Sequence, residues 1–290
     1  MPKATINGIE INYLTVGEGP PLLLLAPGGF RSVISRWTSE GGKGVFREMD
    51  ALNTLAKHFH VIAYDRRESG QSGGRIETLS WALYADEATG LLDLLGVSNA
   101  FVLGGCMGAS LAMTIAHRHP DRCAAMILHW PVGGYRWMST MHEWFERHIR
   151  YVMQHGLPAV IERSRTGDNF FLDPEMGPWG SPTLIDATFA HALVNTPTDH
   201  YLELVKLSCQ SLFPDTLPSG PGGAELISIQ TPARVVSGND WAHTRSAAFA
   251  ITELMPNATL WDCPAQAQTA PALLAEILAF TALHTQRLEH

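Results

Sequence analysis

Cysteine is scarce in this 290-residue chain. The four residues Cys106, Cys123, Cys209 and Cys263 are too few and too scattered for a disulfide framework or a Cys-x-x-Cys metal site. They read as reduced thiols in a cytoplasm. No apolar run approaches the roughly eighteen residues that span a bilayer, and the start, Met1 to Ile6, lacks the charged-then-apolar order of a secretory signal. Basic residues are the minority charge, 20 Lys and Arg against 28 Asp and Glu for a formal net charge of −8, and no stretch is rich in them. That argues against nucleic acid or an anionic membrane surface as the main partner. Low-complexity and disorder-like segments are also missing. What remains is a protein acting on small molecules, as a monomer or a homodimer, with no motif that calls for a metal or a cofactor. The last three positions, 288–290, read as the stub of an expression tag.

What is present is a chain that is 46% hydrophobic and 17% charged, which suits one large α/β domain or one domain with a substantial insertion. An alternating segment around Asn7-Gly8 signals a hairpin. Short apolar runs follow at 21–26, 61–64, 100–103, 124–128, 233–236 and 259–261. Between them, Trp81, Tyr84, Ala85, Ala88, Leu91, Leu92 and Leu95 recur at helical spacing, as do Leu273, Leu274, Ile277 and Leu278. Continuous apolar strands alternating with amphipathic helices predict a mostly parallel sheet covered on both faces. The alternation breaks near Tyr135 and resumes near Ile229. The intervening stretch is crowded with aromatic residues and shows no strand pattern, so it is expected to be a helical cap, 135–229, inserted into a core of 1–134 and 230–287. Most of its rings should pack against the sheet, and some should line the cleft where cap and sheet meet.

The most informative segment is Phe101-Val102-Leu103-Gly104-Gly105-Cys106-Met107-Gly108-Ala109-Ser110. It reads as a buried strand, a pinched turn and the first turn of a helix. Gly104 and Gly108 flank Cys106 at two residues on either side, which is the spacing of a nucleophile elbow with a thiol where serine is usual. The strained backbone of such a turn demands small neighbours. A cysteine at a helix N-terminus is biased towards thiolate by the macrodipole and the unpaired N–H groups.

With this elbow, the segments Leu23-Leu24-Leu25-Ala26-Pro27-Gly28-Gly29-Phe30, Tyr64-Asp65-Arg66-Arg67-Glu68-Ser69-Gly70-Gln71-Ser72 and Pro232-Ala233-Arg234-Val235-Val236-Ser237-Gly238-Asn239-Asp240 stand in an order that resembles the α/β-hydrolase superfamily over nearly the whole chain. The resemblance implies an eight-stranded, mostly parallel sheet with helices on both faces, and it places Asp240 at the acidic position of a catalytic triad. Met107 and Gly29 would supply backbone N–H groups to an oxyanion hole, and Phe30, Trp130 and Glu68 would stand at the substrate pocket.

Two departures from the family pattern matter. Glu68 occupies a loop position where glycine is usual. In addition, the segment after the last strand, where the family carries its histidine base, reads Trp261-Asp262-Cys263-Pro264-Ala265-Gln266-Ala267-Gln268-Thr269 and has no histidine. Serine would be inert without a base, whereas a thiol can ionise unaided. His243 and His129 are the candidate replacements. His243 is three residues from Asp240, a short separation for a ring that must bond the carboxylate and also reach the sulfur.

The expected activity is that of a hydrolase or acyl transferase, with Cys106 attacking a small, largely apolar ester, lactone or thioester. The similarity to cysteine-bearing dienelactone hydrolases extends only to the motif and the fold. Two other classes remain open at this stage: a lyase or C–C bond cleaving enzyme, and a receptor-like binder whose triad has decayed.

Overall fold

The hairpin at Asn7-Gly8 forms because both residues take positive φ, 50° and 78°, the backbone that a tight two-residue turn needs. It joins β1 (Lys3–Ile6) to β2 (Ile9–Val16). The computed structural model describes residues 1–288 except 168 and 216; of the suspected tag stub, Glu289 and His290 therefore lie outside the described residues. The remaining strands are β3 (Pro21–Leu25), β4 (His60–Tyr64), β5 (Ala100–Gly105), β6 (Cys123–His129), β7 (Ala233–Val236) and β8 (Ala258–Leu260). They form one eight-stranded sheet in the order β1-β2-β4-β3-β5-β6-β7-β8. Only β1 and β2 run antiparallel to their neighbours, and the six strands from β4 to β8 are parallel.

Alternate residues of each central strand feed opposite faces, as the two-residue period of a strand requires. Leu23, Ile62, Val102, Met126 and Val235 join one core with α3 (Trp81–Leu94) and α4 (Met107–Arg118). Leu22, Leu24, Val61, Phe101, Leu103 and Ile127 join the other, with α1 (Gly44–Met49), α2 (Ala51–Leu55) and α11 (Ala270–Ala282). Every residue of β5 is buried, so the central strand contributes about 1.5–3 kcal/mol for each large apolar side chain removed from water.

Between β6 and β7 lie α5 (Tyr135–Thr166), α6 (Pro182–Ile185), α7 (Ala187–Val194), α8 (Thr198–Leu212) and α9 (Gly223–Ser228), with no strand among the described residues. α5 breaks at Gly156, where φ is +75°, two residues before Pro158, since a proline can neither donate in a helix nor tolerate the preceding turn. Trp137, Phe145, Phe170 and Phe213 of this insertion belong to the core on the α3 and α4 face. Finally, α10 (Arg245–Leu254) leads from the loop after β7 to β8 and is capped by Thr244, whose hydroxyl accepts from the Ala247 N–H at 3.2 Å.

Among the described residues no helix is long and apolar enough to cross a membrane, and no cluster of three or more His, Cys, Asp or Glu side chains could hold a metal ion.

Candidate active site

Cys106 sits between the end of β5 and the start of α4 with φ +56° and ψ −122°, a backbone that costs of order 1–3 kcal/mol in a non-glycine residue and persists only where its surroundings impose it. Its surroundings do so. The Cys106 N–H donates to the His129 carbonyl at 2.9 Å, and its own carbonyl accepts from the Ala109 N–H at 3.0 Å. A Cβ at Gly104 would fall on the Gly108 carbonyl, and one at Gly108 on the Leu25 carbonyl. Both flanking positions are thus closed to any larger residue.

The thiol is the most acidic of the four. Burial alone would push it up, but the neighbouring His243 ring and its charge, with the backbone N–H groups of Gly28 and Met107, outweigh burial and bring it below its ordinary value. Burial raises Cys123 and Cys209 to about 12, and burial beside Asp262 also raises Cys263.

His243 owes its position to the tight turn after β7. Asp240 Oδ1 accepts the backbone N–H groups of Ala242 at 2.8 Å and His243 at 2.9 Å. The same carboxylate meets His243 Nδ1 at 2.9 and 2.8 Å through its two oxygens. A carboxylate only accepts, so Nδ1 carries the proton. Nε2 is then left for the elbow: it is buried, makes no hydrogen bond of ordinary geometry, and interacts with the Cys106 thiol. Burial would lower this imidazole, but Cys106 and then Asp240 outweigh it and raise it to about 9. Asp240 is lowered against its own desolvation by the same ring. The three side chains therefore form one line, Asp240–His243–Cys106, drawn from a single loop and the elbow.

His129, the alternative imidazole, stacks on Trp130 at 5.6 Å and 2° and meets the tilted ring of Phe46 at 4.6 Å and 53°. Burial, then the charge on His243, lowers it to about 3, so it stays neutral. Gln268 lies in the loop after β8, the segment that holds no histidine. Its amide donates to the Ser237 and Cys263 carbonyls, both at 2.9 Å, and accepts from Trp130 Nε1 at 2.6 Å. This buried clamp fixes the indole and leaves Gln268 with no proton-transfer capacity.

A cleft of about 720 Å³ opens over Cys106, His243 and His129, with Trp130 and Phe46 in its wall. Trp130 faces it as expected of a pocket residue, but several other expectations need correction. Phe30 is 1% exposed and packs against Phe145 and Phe170 at 6.1 and 4.9 Å, away from the cleft lining. Glu68 is fully buried, held by Arg67 Nε at 2.9 Å, and takes φ +59°, a backbone that favours glycine. No lining residue of this cleft comes from 135–229, because the aromatic rings of the insertion are consumed in the core on the opposite face of the sheet. In the turn after β3, the Gly28 N–H faces the Cys106 sulfur together with the Met107 N–H. Gly29 has a packing role, since a Cβ there would overlap the Phe171 ring. Its carbonyl accepts from Arg66, which ties this turn to the loop after β4.

Sequence reasoning missed Arg31, Arg36 and Lys43, all of which line the cleft. They follow the Gly28-Gly29 turn in the chain, and that proximity was the available signal.

The family model for the alpha/beta hydrolase fold matches residues 21–160. The uncharacterized hydrolase YraK of Bacillus subtilis is 30% identical over 129 residues, 44% of this chain and 43% of that protein. The 2-hydroxymuconate semialdehyde hydrolase of Pseudomonas putida is 29% identical over 126 residues, 43% of this chain and 41% of that protein. The matches thus span less than half the length of these curated relatives. Among solved structures, a hydrolase from Pseudomonas aeruginosa superimposes with a TM-score of 0.63 at 21% identity, covering 97% of each chain. The chain has the α/β-hydrolase fold.

Proposed function

We propose that this α/β-hydrolase-fold chain is a hydrolase that uses Cys106 as its nucleophile on the carbonyl carbon of an ester, lactone or thioester. The observation that carries the reading is the Asp240–His243–Cys106 line beneath an open cleft, in which one thiol alone is lowered and one imidazole is raised. Thiolate and imidazolium together are the resting form that a cysteine nucleophile requires.

The chemistry follows from these groups. Cys106 Sγ attacks the carbonyl carbon, and the oxygen takes up negative charge facing the Met107 and Gly28 N–H groups. As the bond from the carbonyl carbon to the leaving-group oxygen (sulfur in a thioester) breaks, His243 Nε2 gives that atom its proton, leaving an S-acyl enzyme and a neutral imidazole. Water then gives a proton to Nε2 as its oxygen attacks the acyl carbon. The carbon–sulfur bond breaks, and acid and thiolate are released. Asp240 fixes the ring tautomer throughout and stabilises the imidazolium. The P. putida relative is named a 2-hydroxymuconate semialdehyde hydrolase, and the carbonyl class proposed here is the part that this chain's own residues support.

The test couples labelling to turnover. Iodoacetamide is titrated against the protein at several pH values while hydrolysis of 4-nitrophenyl acetate is followed. Labelling of Cys106 well below pH 8, with loss of turnover in proportion and no turnover in Cys106→Ala, supports the reading. Full turnover after complete Cys106 labelling overturns it.

A further inference from the structure

Much of the cleft lining comes from the segment after β3, and its charge is opposite to that of the molecule. The chain carries a formal net charge of −8, yet Arg31, Arg36 and Lys43 line this cleft, with Glu48 as the one carboxylate on the same wall. The remaining acid, Asp240, is already bound to His243. Among the described residues, neither Arg31 nor Lys43 has an acidic partner. Arg36 is anchored through Nη1 to the Gly41 carbonyl at 3.1 Å, which holds its stem against the wall.

Arg31 is the telling residue. Its Nε is buried and makes no hydrogen bond among the described residues, a state that costs a donor its hydration without return unless something else occupies the site. Its stem lies over Gly28: a Cβ there would sit 3.1 Å from Arg31 Cγ and 3.5 Å from Nε. Gly28 is also the residue whose N–H reaches the Cys106 sulfur. A half-buried guanidinium whose Nε has no partner therefore stands against Gly28, the residue whose backbone N–H faces the Cys106 sulfur, with a second guanidinium and an ammonium also in the cleft lining. A carboxylate matches that fork with two parallel hydrogen bonds, which water or a neutral group does not.

We infer that this cleft selects carbonyl substrates bearing a carboxylate a few bonds from the scissile carbon, with Arg31 as the primary anchor and Arg36 and Lys43 as the surrounding positive field. The inference rests on the hydrolase reading above and narrows its substrate class. It replaces a largely apolar substrate with an apolar one that carries an anionic end.

Two independent readouts test it. The first needs no turnover: the rate of Cys106 alkylation by anionic iodoacetate is divided by that by neutral iodoacetamide, and the quotient is compared with that of a small free thiol. The expected quotient exceeds the free-thiol value by about tenfold or more, the scale at which a local positive field concentrates anions, and it shrinks as salt is added. Arg31→Gln should remove most of the excess. Lys43→Gln, at an exposed position that leaves folding intact, should remove a smaller part. The second readout is the ratio of kcat/KM for mono-4-nitrophenyl succinate over that for 4-nitrophenyl acetate, which should fall about tenfold or more in Arg31→Gln.

A quotient equal to that of the free thiol, or unchanged in both variants, overturns the inference. So does an equal loss on both esters in Arg31→Gln, which would make the guanidinium an oxyanion donor instead. Iodoacetate preference without turnover of any ester would leave the anion site standing and remove the hydrolase reading; turnover without preference would do the reverse.

Discussion

A thiol and an imidazole that share a proton titrate as a pair, and here each moves the other in the direction that widens the active window. Cys106 is lowered mainly by His243 against its burial, and His243 is raised to about 9 mainly by Cys106 against its own. The proposed catalytic form, thiolate with imidazolium, therefore exists from below the ordinary thiol range up to about pH 9. A bell-shaped kcat/KM profile is expected whose alkaline limb lies near pH 9 and reports loss of the imidazolium. His243→Ala should move the acid limb up towards the ordinary thiol value and erase the alkaline one, while His129→Ala, which removes a neutral ring, should keep both limbs. A profile altered by His129→Ala and not by His243→Ala would transfer the base to β6. Because a base does stand beside the elbow, Cys106→Ser is expected to keep hydrolysis above the Cys106→Ala background, though well below the parent. Equal rates for the two variants would contradict that. The residues of this line were legible in the chain, but their alignment was not. Three residues of separation look too short until the turn is seen, in which Asp240 accepts its own loop's N–H groups and so brings ring and carboxylate to the same side.

Elements were readable wherever one local constraint dominated. β5 and α4 announce themselves because Gly104 and Gly108 have no tolerated replacement, and the hairpin does so because Asn7-Gly8 accepts positive φ. Gly104→Ala is accordingly expected to destabilise the fold by about 1–3 kcal/mol, since its methyl would drive the Gly108 carbonyl and the elbow apart. It should also cut Cys106 alkylation by displacing the sulfur from His243. Urea unfolding and labelling rates check the two effects together, and a variant of parental stability would mean that the turn yields more easily than its contacts suggest. The elements that were misjudged are those whose role depends on distant partners. Some rings of 135–229 were expected to line the cleft, but Phe30 packs with Phe145, Phe170 and Phe171 instead, and none of the insertion's residues is in the cleft lining. The loop after β4 looked like a pocket edge, but Arg67 draws Glu68 inward and Arg66 bonds the Gly29 carbonyl. No periodicity in the sequence records such pairings.

At the scale of the whole molecule, charge is distributed in a way that composition alone conceals. A net excess of acid coexists with a positive cleft wall and with a buried polar cluster under the loop after β4, where Arg67 bonds Glu68 at 2.9 Å and Glu77 at 2.6 Å. Glu87, 2% exposed, accepts the Arg67 N–H at 3.2 Å. Burial, then the nearby charge of Glu68, raises Glu87 from 4.5 to about 8. The consequence for stability runs opposite to that of an ordinary salt-bridged carboxylate. Between about pH 4.5 and 8 the folded chain holds a proton that the unfolded chain has released. Folding is therefore favoured at the acid end of that window and loses stability as pH rises, with a limiting slope of about 1.4 kcal/mol per pH unit for this one group. Glu87→Gln keeps the oxygen that accepts from Arg67 but cannot ionise. The variant should match the parent near pH 5 and exceed it increasingly towards pH 8, as read from urea midpoints at constant ionic strength. A gap between the two that does not change with pH would mean that Glu87 is ionised across the range and is held by Arg67 as a conventional buried ion pair; the gap would then favour the parent, because removing one partner of such a pair leaves the other charge uncompensated.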